Sequence, residues 1–154
     1  MLWLNDYSIL TDEGEALIDI RRSFLSEPAI RGAYGAYAKA QADRLVRRNE
    51  EGKEGFSSDT KSRTEKHGRH CMRLLLQGTQ LLATGTMTVD VSYYREFLFD
   101  MGELAGNDPQ GFYDQYKIHA DRFDRTETKL PQFPDRLTAD DDLVNIRLQM
   151  SHHG

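Results

Sequence analysis

Only one cysteine, Cys71, occurs in the chain. An internal disulfide is therefore excluded, and a lone thiol fits a reducing compartment such as the cytosol. No apolar run approaches the ~20 residues of a membrane span, so no membrane partner is expected. The opening MLWLNDYSIL lacks a charged leader and a small-residue cleavage site, so it is not read as a secretory signal. A basic excess is also missing. The formal net charge is -5, which gives no general attraction to nucleic acid but still allows a local basic face. No GxSxG, P-loop or Rossmann glycine fingerprint occurs, and no internal repeat.

What remains is a chain of 154 residues with seven Tyr and seven Phe, enough aromatic content for one domain with one core. Periodicity predicts an all-α bundle of about five or six helices with at most minor β structure. Residues 1–10 suggest a remnant strand. Thr11 should cap a short helix closing near Phe24, with Asp12, Glu13 and Glu15 at its positive end. Ser26 caps the next helix, which admits Pro28 in its first turn and runs to about residue 48. Its stripe reads Ile30, Tyr34, Tyr37, Ala38, Gln41, Leu45. Residues 49–64 lack periodicity and read as a loop.

A third helix then runs to about Ala83, with Gly85 as its C-terminal stop. TMTVDVS alternates weakly, as a short strand would. Further helices are predicted from Tyr93 to Leu104 and from Phe112 to about Thr126. AGNDPQG is read as a turn and LPQFPD as a crossing. Thr138 and Asp141 have capping-box spacing before a last helix to Gln149. Residues 151–154 read as a tail.

The third helix contains KHGRHCMRLL, residues 66–75. At ~100° per residue, Cys71, Leu74, Leu75, Leu81 and Leu82 share a broad apolar face with His67 in its middle. Lys66, His70, Arg73 and Gln77 follow a polar edge, with Arg69 beyond. Lys66, His70 and Arg73 stand at i, i+4 and i+7, in line to hold one anion. Arginine grips phosphate with paired hydrogen bonds, lysine adds a movable charge, and histidine donates one more bond. A solvated basic face explains the same spacing. His67 is either a satisfied core histidine or a positioning residue in a pocket. Gln41 needs hydrogen-bond partners that either the protein or a ligand supplies. A zinc site from His67, Cys71 and His119 lacks the usual cysteine-rich spacing. Cys71 lies on an apolar face unsuited to a nucleophile.

KHGRHCMRLLLQGTQLLATG resembles the KHxxHxxRLLxxGxxxLxTG segment of predicted nucleotidyltransferases of the DNA polymerase beta superfamily, a group found in bacteria and phages. FLS at Phe24 to Ser26, YGAYAKAQ at Tyr34 to Gln41, and LPQFPD at Leu130 to Asp135 are similar to that family's FLS, GYAxAQ and LPxxPD, in the same order. The resemblance implies nucleotide binding. Lys66 and Arg73 would hold phosphate, His67 and His70 would face the nucleotide, and Tyr37 and Gln41 would touch base or ribose. In the family an N-terminal part carries a GS motif, paired aspartates and a third carboxylate that hold magnesium. This sequence has no such set, and MLWL resembles the segment just after the third carboxylate. The expectation is thus a helical nucleotide-binding part with no cofactor or catalytic residue of its own, not active alone. The catalytic part with its magnesium site would be a separate polypeptide or absent through truncation, and an apolar patch near Leu2, Trp3 and Leu4 would be exposed.

Two other accounts compete. A non-enzymatic module could bind a host protein or form a homo-oligomer through that patch. A nucleic-acid-binding protein would use Arg44, Arg47, Arg48 and the loop lysines, against the acidic total.

Overall fold

The computed structural model describes residues 9–51 and 58–152, with side chains placed for 9–47, 60–148 and 151. Among these residues every regular element is helical, so the all-α expectation holds. No helix among them is long and apolar enough to cross a membrane. The expected patch at Leu2, Trp3 and Leu4, and the remnant strand but for its last two residues, lie outside the described residues.

Helix α1 (Asp12–Asp19) starts where Thr11 Oγ1 accepts the Gly14 N–H at 3.2 Å, and a 3₁₀ turn (Ile20–Phe24) comes next. Beyond Ser26, whose carbonyl accepts the Ile30 N–H at 3.1 Å, α2 (Glu27–Ile30), a π-helical turn (Arg31–Ala36) and α3 (Tyr37–Glu51) run on without a break. The π turn holds an extra residue and rotates α3 about the helix axis relative to α2. Ala38, Gln41, Ala42 and Leu45 become buried, while Tyr37 is 48% exposed rather than on the buried stripe. The turn lies where the chain must approach α6 closely. A Cβ on Gly35 would stand 2.6 Å from Phe123 Cε1.

Helix α4 (Ser58–Thr84) begins inside the stretch predicted as loop, and α3 also reaches into it. The reason is visible in its contact with α5 (Arg95–Asn107). A Cβ on Gly102 would meet Arg69 Cγ at 2.7 Å, and one on Gly106 would meet Glu65 Cγ at 2.8 Å. Long polar side chains thus fill this contact with their stems, which a search for apolar periodicity overlooks. Farther along α4, Cys71, Met72, Leu75, Leu81 and Leu82 enter the core beside Phe112 and Phe123. Each large side chain buried there contributes about 1.5–3 kcal/mol. Gly85, at φ +67°, ends the helix and donates its N–H to Leu81 O at 2.8 Å.

TMTVDVS is not a strand. It turns back along α4, tied by side chains instead of a neighbouring strand. Gln80 Nε2 donates to Thr88 Oγ1 at 2.9 Å, Gln80 Oε1 accepts the Thr88 N–H at 3.0 Å, and Gln77 Nε2 donates to Thr88 O at 3.3 Å. A 3₁₀ turn (Ser92–Tyr94) then leads into α5.

The expected AGNDPQG turn shrinks to Asp108, which closes α5 and caps α6 (Pro109–Asp124) by accepting the Gly111 N–H at 2.9 Å. Arg31 caps the far end of α6, donating to the carbonyls of Phe123, Asp124 and Thr126 at 3.0–3.2 Å. The Leu130–Asp135 crossing docks onto the Ser23–Glu27 segment. Glu27 N–H donates to Pro131 O and Asp135 N–H to Ser23 O, both at 2.9 Å. FLS and LPQFPD are therefore neighbours in space. The last helix, α7 (Arg136–His152), takes in two residues of the expected tail. Its cap is Asp135, not Thr138, with Oδ1 accepting the Thr138 N–H at 3.1 Å and Oδ2 its hydroxyl at 2.8 Å.

Candidate functional site: a cationic cleft between α4 and α5

The polar edge of α4 becomes one wall of a cleft. Lys66, Arg69, His70 and Arg73 line it from α4, and Val91, Ser92, Arg95, Leu98 and Phe99 line it from the turn and α5. Its volume is about 430 Å³, within the ordinary range for small-molecule sites. The Gln80–Thr88 tie places Val91 and Ser92 over the edge, and the glycine-mediated approach of α5 brings Arg95 and Phe99 opposite it.

Four permanent cations thus share one concave surface. Among the described residues, none of Lys66, Arg69, Arg73 or Arg95 is in an ion pair with a carboxylate. The contrast with Arg31, Lys39, Lys117 and Arg125 is direct, since each of those meets an acid on its own helix or the adjoining turn. Two of the cleft cations are braced by one ring instead. The Arg69 guanidinium lies 4.9 Å from the Phe99 ring centre and the Arg95 guanidinium 5.7 Å from it. Such contacts orient a guanidinium while leaving its N–H groups available. The N-terminus of α5 adds the positive end of a helix dipole.

His70 is held on both sides. Its ring meets Tyr37 edge-on at 5.7 Å, and Arg73 Nη2 stands 3.1 Å from His70 Nδ1. A guanidinium has no acceptor, so Nδ1 accepts, the imidazole is neutral and its proton sits on Nε2. Burial, and then the charges of Arg73 and His67, push the His70 pKa below its ordinary value. His70 is therefore a neutral donor on a cationic wall. The cleft lining contains no carboxylate, so these residues do not fit a magnesium ion.

The six residues picked from the sequence divide. Lys66, His70 and Arg73 line the cleft together. Tyr37 reaches it only through the His70 ring. His67 is half-buried and acts on His70 through its charge, but it is not part of the lining. Gln41 is 4% exposed within α3, away from the lining. Arg95 and Phe99 were not among the sequence candidates. They sit on a different helix, and no local spacing links them to Lys66.

Cys71 is buried, donates from Sγ to Ala38 O at 3.3 Å, and has its thiol pushed up to about 12 by burial. His119 instead meets the Phe97 ring at 5.2 Å. Among the described residues no three His, Cys, Asp or Glu side chains gather to hold a metal. Neither a family model, nor a curated protein, nor a solved structure matches the chain. A functional reading therefore rests on the residues of the cleft.

Proposed function

We propose that this helical domain binds a nucleotide or another phosphate-bearing ligand in the α4–α5 cleft. Its role would be that of an accessory lobe in a nucleotidyltransferase-like system whose metal-holding carboxylates come from another polypeptide. One observation carries the reading: four cations that have no acidic partner among the described residues converge on a concave, partly apolar surface. Unpaired cations at close quarters repel one another, and an anion relieves that repulsion. Arg73, Arg95 and Lys66 would hold the phosphate, with His70 Nε2 donating. Val91, Leu98 and the Phe99 edge would receive the less polar part.

Calorimetry with ATP, AMP and inorganic phosphate tests it. Nucleotide binding should appear, and Arg73→Gln and Arg95→Gln should each weaken it by about tenfold, the cost of a lost charge-assisted hydrogen bond. Absence of binding by all three ligands would end the reading.

A second reading, self-association as a non-enzymatic module, is favoured by α7. Leu137, Val144 and Leu148 are exposed there and lie within ~40° of one another around the helix. A stable dimer in sedimentation that Leu148→Glu dissociates, with no nucleotide bound, would favour it.

A further inference from the structure

The rim of the cleft carries aromatic rings that the fold leaves in the open. Tyr93, between the lining residues Ser92 and Arg95, is 90% exposed. Tyr94 stands nearly perpendicular to it with ring centres 5.1 Å apart, a contact that leaves Tyr93 almost wholly open to solvent. Phe99 is 53% exposed between its two guanidinium neighbours, and Tyr37 stands exposed beside His70. A lone nucleotide has one base and cannot engage rings at separate places on the rim.

We infer that a single-stranded nucleic acid crosses this cleft, with a backbone phosphate on the Lys66–Arg69–Arg73–Arg95 cluster and a neighbouring base stacked on Tyr93. This rests on the proposal that the cleft takes a phosphate-bearing ligand, and it names the macromolecule that carries the phosphate. Cations that track a backbone, interleaved with aromatic faces, are the two components of sequence-tolerant strand binding. A duplex fits poorly because its base faces are stacked away inside. It would also meet the exposed carboxylates of Glu96, Asp100 and Glu103 on the same helix as Arg95. Those acids, like the net charge of -5, weigh against a broad contact with a polyanion. An acidic peptide would engage the cations but has no regular supply of planar rings for Tyr93.

The test is fluorescence anisotropy on the full chain with labelled oligo-dT and oligo-U of about 12 nucleotides. The same binding is measured for dTMP, for a duplex of equal length and for poly-glutamate. The single strands should bind about tenfold or more tighter than dTMP, and their affinity should fall steeply with salt. Tyr93→Ala should weaken strand binding about fivefold or more while changing dTMP binding by less than about twofold. The exposure of Tyr93 makes misfolding of that variant a minor concern, and circular dichroism checks it. Strands that bind no tighter than dTMP, or an unaffected Tyr93→Ala, overturn the inference and leave the phosphate cleft standing. Duplex or poly-glutamate binding as tight as oligo-dT overturns it too. Loss of all binding, dTMP and phosphate included, would instead bring down the cleft itself.

Discussion

Helices α4 and α7 are both long, 27 and 17 residues, yet they are attached to the molecule in different ways. α4 contacts α3, α5 and α6 and buries an entire side, from Thr64 through Met72 to Leu82. Two glycines let its neighbours in: a Cβ on Gly68 would stand 2.5 Å from that of Ala105, and one on Gly78 would stand 2.7 Å from Phe123 Cε2. α7 packs on α1 and the turn after it, and among its described side chains only Ala139 and Ile146 are buried. At ~100° per residue its apolar side chains form two opposed stripes. Ala139 and Ile146 face inward with Leu143, 38% exposed, at the margin of their stripe, while Leu137, Val144 and Leu148 face out. A helix gripped by three others holds its edge in a fixed place, as the Arg69 stem is held against α5 at Gly102 and its guanidinium beside the Phe99 ring. A helix gripped along one line instead presents a surface to whatever covers it.

Gly78→Val should have the largest effect, about 2–3 kcal/mol or more, because the added carbons meet both the Phe123 ring and the root of the Tyr34 side chain. Urea denaturation would measure it, and a change under about 1 kcal/mol would mean that α4 is less tightly held than its contacts imply. Ile146→Ala should cost about 2 kcal/mol, the low end for a buried aliphatic truncation. Native-state hydrogen exchange should show faster opening confined to α7 and α1, with α4 amides unchanged. Global acceleration would show that the two helices unfold as one.

Acidification should have a smaller effect. His70 is held below its ordinary range by burial and Arg73, and His119 by burial and Arg122. A base with a depressed native pKa binds fewer protons folded than unfolded. Stability is therefore full above the ordinary value of 6.5 and falls as pH drops through it. Thermal midpoints between about pH 7.5 and pH 5 should decline, and His70→Gln should flatten part of that slope. A midpoint that rises over this window would contradict the assigned state of His70. Leu137→Ser should have the smallest effect, within about 0.5 kcal/mol, since Leu137 is 81% exposed. A larger loss, dependent on protein concentration, would place α7 in an interface between copies.

Much of the fold was legible because helices announce themselves locally. Thr11, Gly85 and the leucines of α4 did what their spacing predicted. The errors have one kind of cause. Residues 58–64 look like a loop because this part of α4 packs through Lys61 and Glu65 stems against glycines of α5. TMTVDVS looks like a strand because its pattern cannot reveal that Gln77 and Gln80 tie it to α4. Tyr37 looks buried because the π turn before it is invisible to a fixed period. At the site, Lys66, His70 and Arg73 were legible, while Arg95 and Phe99 were not.

The amino-acid order alone settled that the chain is helical and that three cationic or polar donors share one edge of α4. Both come from repeats of three and four residues, which helix geometry turns into neighbours. Only the tertiary structure decided that this edge is a wall of a cleft. That required α5 to approach through Gly102, Ala105 and Gly106, the return loop to be tied down at Thr88, and the π turn to swing Tyr37 toward His70. Each is a contact between segments distant in sequence or a break in helical register, and its energy lies in close packing that local periodicity does not encode.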